Sequence, residues 1–207
     1  FTAKQIVETF LNQRYSDSEN RSNIIRLTGG EPFLVPNLML EILKELKSRG
    51  LEGDVFLWTE TSLVPLIVQD GFSPVVTDQQ LQELSQFKNF CVHPCFHGLS
   101  EASFQSITGN TLISFSYLLE ALKRLIGTGI DVYPTFGSNM CSPQEVRQFF
   151  EEIFSINKSL PLRFCLIEYD LDYKPIKWRQ ENIAGFAKSH EIVFDRFQVI
   201  GAWDRLL

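Results

Sequence analysis

Five short β-type runs, at 24–28, 54–59, 90–96, 130–136 and 162–168, recur roughly every 30 to 40 residues, and most intervening segments space their apolar residues helically. That alternation is the spacing of βα units, in which each strand lies parallel to the next and a helix returns the chain. Most of the runs are apolar at both alternating sets of positions, as strands covered by helices require. Thr2 and Gln5 form a capping box ahead of Ile6, Val7, Phe10 and Leu11. Pro36 suits the first turn of a second helix, with Leu38, Ile42, Leu43 and Leu46 on one face and Gly50 as its stop. Short helices are expected at 78–87 and from Ser100 to Gly109, and a longer one carries Leu112, Leu118, Leu119, Leu122, Leu125 and Ile126 to Gly129. Ser142-Pro143-Gln144-Glu145 opens a helix with Val146, Phe149, Phe150 and Ile153 on one face. Pro134 lies inside the fourth run, so pairing there is expected to be irregular or one-sided. A helix at about 180–188 and an apolar run at 192–200, a candidate sixth strand, complete the chain.

No repeat or linker interrupts this order, and 207 residues suffice for one sizeable core. The expectation is one α/β domain over 1–207, either an incomplete (β/α) barrel of about five to six parallel strands or an open doubly wound sheet. Eighteen phenylalanines point to a thick apolar core or an apolar pocket. A formal charge of -6 without a Lys/Arg cluster argues against a large nucleic-acid footprint. No apolar run reaches membrane-spanning length and no signal pattern opens the chain, so a cytoplasmic location is expected. Cys91, Cys95, Cys141 and Cys165 fit neither a disulfide framework nor a paired zinc motif. Three of them fall in expected strands, which predicts buried free thiols.

The candidate site is the run Ile24-Ile25-Arg26-Leu27-Thr28-Gly29-Gly30-Glu31-Pro32. A strand ends there in two glycines, a carboxylate and a proline. The glycines leave the backbone open to a ligand, and Glu31 offers a negative acceptor at the strand end. An ordinary tight turn with a solvated Glu31 is the plain alternative.

Thr28 to Pro32 resembles the Gly-Gly-Glu-Pro motif of the radical S-adenosylmethionine enzymes. In that family the motif meets the amino group of the methionine moiety, a group that exposed carbonyls and a carboxylate hold well. The run Phe56-Leu57-Trp58-Thr59-Glu60-Thr61 is similar to the family's third strand, and Val92 to Gly98 with Ser100 to Gly109 to the fourth strand and helix of its activating-enzyme-like branch. There, polar strand-end residues approach the ribose and carboxylate of S-adenosylmethionine, and His97 holds that place here. The resemblance implies a partial (β/α) barrel lacking its first strand, with Thr28, Gly29, Gly30, Glu31, Pro32, Glu60, Thr61 and His97 as cofactor-binding residues. It implies S-adenosylmethionine as cofactor and, in the complete protein, a [4Fe-4S] cluster whose electron yields a 5′-deoxyadenosyl radical that abstracts hydrogen from a substrate.

The family's C-x3-C-x2-C loop does not occur in this chain. Cys91 and Cys95 have its first spacing, but Gly98 stands where a third cysteine belongs, and on an extended strand the two lie about 13 Å apart. The chain starts at Phe1 on a helix signal, so the expectation is a fragment whose cluster loop lies upstream. A cluster-less scaffold domain, or an ordinary βα-barrel enzyme for a small anionic metabolite, are the alternatives. No catalytic residue and no metal ligand in this chain is assigned; substrate and oligomeric state are left open.

Barrel chemistry gathers at strand C-terminal ends, which here carry Glu31, Glu60, His97, Ser138, Asn139, Glu168 and Asp170. Glu60 can equally cap a following helix. His93 and His97 share a strand face with Cys91 and Cys95, but steps of about 7 Å along one strand make buried, hydrogen-bonded histidines the better reading than a zinc site. Trp58 and Trp178 could stack a base, against the ordinary reading of core tryptophans. Asp170 and Asp172 are read as solvated turn residues, and Phe149, Phe150 and Phe154 as core packing.

Overall fold

A computed structural model describes residues 1–16, 21–69, 71, 73–137, 141–167, 174, 178, 181 and 201–206. In chain order its helices and strands are α1 (Ala3–Ser16), β1 (Ile24–Leu27), α2 (Pro36–Ser48), β2 (Phe56–Thr61), α3 (Asp78–Ser85), β3 (Phe90–Phe96), α4 (Glu101–Thr108), α5 (Phe115–Gly127), β4 (Asp131–Val132), β5 (Thr135–Gly137), α6 (Pro143–Ile156) and β6 (Cys165–Ile167). Every ladder among them is parallel, in the strand order β1-β2-β3-β5-β6 with β4 also on β3, so the α/β class and the strand number follow the expectation.

The chain divides into two compact units, Phe1–Pro94 with Ala121–Val132, and Cys95–Glu120 with Tyr133–Leu207. In the first, β1 pairs with β2 from Ile24↔Phe56 to Leu27↔Thr59, β2 with β3 from Leu57↔Phe90 to Thr61↔Pro94, and β4 joins at Cys91↔Asp131. The ladder's two faces differ. Ile25, Leu57, Thr59 and Val92 are buried, while the alternate positions Arg26, Trp58, Glu60 and His93 are exposed or half-buried. α2 turns Met39, Ile42, Leu43 and Leu46 inward, and burial of each contributes about 1.5–3 kcal/mol. Arg124, on the stretch of α5 that belongs to this unit, donates to Leu66 O, Val76 O and the Asp78 carboxylate at 2.9, 2.9 and 2.8 Å.

The second unit is built on aromatic rings. Phe96, Phe136, Phe149, Phe164 and Trp203 lie with centroids 5.1–6.3 Å apart, within the range where tilted pairs add to burial. Phe33, Phe90, Phe104 and Phe115 are buried as well, so the high phenylalanine content serves the core. Glu145 joins the starts of α4 and α6, accepting from Ser100 Oγ at 2.7 Å and Ser142 N at 2.9 Å. Gly98, at φ +112, lets the backbone of α4 come close: a Cβ there would lie 2.4 Å from Phe104 N.

Several local expectations shift. The fourth run breaks into β4 and β5 around Pro134, whose carbonyl accepts Cys165 N at 2.9 Å; the one-sided pairing follows from proline's missing N–H. The second strand starts at Phe56 and runs through Thr61, so Glu60 and Thr61 are strand residues. Leu112 precedes α5 and is exposed, because the Asn110 side chain takes the N–H groups of Leu112 and Ile113 in a turn. The fifth run opens as a 3-10 turn, Leu160–Arg163, around Pro161 and becomes strand only at Cys165. Cys91 and Cys141 are buried, yet Cys95 is half-buried and Cys165 exposed, since short β6 leaves that position uncovered. Trp178 and Phe154 are exposed instead of core residues. Ser138, Asn139, Glu168, Asp170, Asp172 and the run 192–200 lie outside the described residues, as does the helix at 180–188 except Glu181. Among the described residues no helix is long and apolar enough to cross a membrane.

Candidate functional site

The first unit gathers the glycine edge and its surroundings. β1 hands the chain to Thr28, Gly29 and Gly30, all exposed, and Glu31 then caps the 3-10 turn Pro32–Leu34 ahead of α2. A cleft of about 290 Å³ opens here, lined by Arg26, Thr28, Gly30, Glu31, Val35 and Leu38 among others. Gly29 sits at φ +87, where a side chain would be strained. Gly30 does not: its φ is ordinary, and a Cβ added to it would have nothing within 4 Å. Neither backbone conformation nor internal packing therefore calls for glycine at position 30.

Glu31 is turned inward. One carboxylate oxygen accepts Phe33 N at 3.2 Å, and the other accepts Ser62 N at 2.7 Å and Ser62 Oγ at 2.5 Å. The side chain thus fastens the glycine edge to the exit of β2, and is not the solvated turn residue of the plain reading. Thr61 is buried, its hydroxyl accepting Leu63 N at 3.0 Å, and Pro32 sets the first position of the 3-10 turn.

Glu60 projects from β2 on the half-open face. Arg26 donates to one of its oxygens through Nε at 3.0 Å and through Nη2, and the Thr28 hydroxyl donates to the other. Burial opposes the charge, but the Thr28 hydroxyl and the Arg26 guanidinium outweigh it and hold this carboxyl below its ordinary range. Glu60 therefore does not cap a helix. His93 stands opposite Glu60 in register, its ring 4.7 Å from that of Trp58 and tilted by 34°. Burial, then the Arg26 charge, lowers the His93 pKa against the pull of Glu60, which favours the neutral ring.

The structure therefore brings Thr28, Gly29, Gly30, Glu31, Pro32, Glu60 and Thr61 into one unit. His97 follows β3 in the other unit, half-buried, just before Gly98. Ser62 and His93 join the site without having been assigned to it from the sequence, and Arg26, part of the candidate run but given no role there, gains one. For Arg26 the signal was present: a lone charge in an apolar strand, two residues before Thr28 and so on the same face.

Cys91 and Cys95 do not make a cluster site. Burial and the Asp131 charge push the Cys91 thiol up to about 12, and β3 keeps both cysteines on an extended strand. Among the described residues no three His, Cys, Asp or Glu side chains are placed to hold a metal.

No curated protein matches the chain. Among solved structures it is similar to the cobalamin-dependent S-adenosylmethionine radical enzyme OxsB with aqua-cobalamin bound, with a TM-score of 0.51 at 9% identity. That likeness covers 97% of this chain and 27% of OxsB, so the chain spans about a quarter of the larger protein and shares its fold there. A family model described as a 4Fe-4S single cluster domain matches residues 2–111, taking in β1, β2, β3 and the glycine edge. Since that match covers more than half of the 207 residues, the chain belongs to the 4Fe-4S single cluster domain family.

Proposed function

We propose that this chain is the S-adenosylmethionine-binding α/β core of a radical S-adenosylmethionine protein, of the activating-enzyme-like branch. The observation that carries the reading is Gly30, a glycine with open space where a side chain would stand and no conformational need to be glycine. The fold shared with a radical enzyme supports it, as does the family of the matched segment. The carbonyls of Thr28, Gly29 and Gly30 accept the ligand's ammonium group, and Arg26 with Glu60 offers adjacent opposite charges to its zwitterionic end. Half-buried Trp58 and His93 line the same ladder face and limit water there.

The described residues do not fit an iron–sulfur cluster, and in this reading the cysteines that hold it come from outside these 207 residues. The same misfit favours a second reading, a binding or scaffold domain that keeps the glycine edge and uses no cluster.

Titration of S-adenosylmethionine into the chain, followed calorimetrically, tests the site. The native chain is expected to bind and Gly30→Val to lose binding, with the unfolding midpoint unchanged. Equal binding by both would refute the glycine edge as the ligand site. Iron content and visible absorption of the native reading frame after anaerobic reconstitution separate the two readings. A cluster band supports the radical core, and none in any length of the protein supports the scaffold.

A further inference from the structure

The exit of β2 is strained. Leu63, fully buried, holds φ 67 and ψ -15, and it is the sole non-glycine residue at positive φ among the described residues. Side chains avoid this conformation, and it persists only where the surroundings impose it. Here they do so from both sides: Leu63 N donates to Thr61 Oγ1 at 3.0 Å, while Ser62 gives both its N–H and its hydroxyl to the Glu31 carboxylate. Glu31 directly follows Gly30, and two consecutive glycines are the loosest dipeptide a chain can present. Ser62, 31 residues beyond Glu31 in sequence, anchors the end of that dipeptide.

We propose that Ser62 is a positioning residue for ligand binding: with Glu31 it clamps the strained β2 exit onto the Gly29-Gly30 edge and keeps that edge's carbonyls ordered before a ligand arrives. This rests on the reading of the edge as the S-adenosylmethionine site. In it Glu31 works through the backbone it fastens, and the ligand's ammonium meets carbonyl oxygens. Ordering the edge in advance removes part of the conformational entropy that binding would otherwise cost.

The test compares Ser62→Ala, Ser62→Thr and Gly30→Val by calorimetric titration with S-adenosylmethionine on the full 207-residue chain. Ser62→Ala removes one of the two donors, and is expected to weaken binding about tenfold with only a small drop in the unfolding midpoint. Ser62→Thr keeps both donors and is expected to bind within about twofold of the native chain. Native affinity in Ser62→Ala alongside lost binding in Gly30→Val would overturn the clamp and leave the site standing. Equal weakening by alanine and threonine would assign the effect to packing and also overturn it. Native affinity in Gly30→Val would remove the site on which the clamp depends.

Discussion

Gly98→Ala is expected to be one of the most damaging single-methyl additions to this chain. The new Cβ would lie 2.4 Å from Phe104 N and 2.7 Å from both Phe104 Cα and Ser103 C, where ordinary contact begins at 3.4 Å. Those atoms are backbone of α4, so relief requires the helix to move by about 1 Å as a body. It is not free to do so: Ser100, its N-cap, is held by Glu145 at 2.7 Å, and Phe104 packs against Phe115. Overpacking of this kind costs about 1–3 kcal/mol. The left-handed conformation adds about 1–2 kcal/mol for any residue with a Cβ. The expected loss is therefore about 2–5 kcal/mol, a large fraction of a domain's stability of about 5–15 kcal/mol. Urea unfolding followed by tryptophan fluorescence measures it, with Gly30→Ala as the control. At position 30 nothing lies within 4 Å, and the change is expected to fall within about 0.5 kcal/mol of neutral. A Gly98→Ala loss below about 0.5 kcal/mol, or equal losses at both positions, would refute the argument that close backbone approach demands glycine at position 98 and not at position 30.

Iodoacetamide applied to the folded protein at mildly alkaline pH is expected to label Cys165, which is exposed, and to spare Cys91 and Cys141, whose thiols are buried and pushed up in pKa; mass spectrometry of tryptic peptides reads the pattern. At Glu145, burial is outweighed by hydrogen bonds from Ser142, Ser100 and Ser103, so its folded pKa lies below the ordinary 4.5. Its contribution is present in full above 4.5 and disappears as pH falls through the lower folded value, so Glu145→Gln should flatten the acid limb of a stability–pH curve. The His93 ring should titrate below the ordinary 6.5 in proton NMR, burial being the main cause, and Arg26→Met should raise the midpoint by removing the nearby cation. An unmoved midpoint would show that Arg26 does not act on His93.

Much of the fold was legible because its signals are local. Capping boxes at Thr2 and Ser142 span three residues, and the period of apolar positions separates helix from strand within a dozen. Pro134 announced a broken strand through its own missing N–H. The shifted boundaries have equally local causes that compete with that period. Asn110 captures two N–H groups and delays α5, and Pro161 winds the start of the fifth run into a 3-10 turn.

By itself the chain determined its parallel α/β class, the position of the glycine edge and the lack of a three-cysteine loop, because each is written in consecutive residues. Tertiary structure decided what those residues meet. Ladder register sets Arg26 and Thr28 against Glu60, carries Glu31 to Ser62 and brings the Trp58 ring beside that of His93, across separations of 31 to 35 residues that no local pattern encodes. It also told two glycines apart. Gly30 and Gly98 are the same letter, but one borders open space and the other the backbone of a helix, and only their neighbours in three dimensions supply the difference.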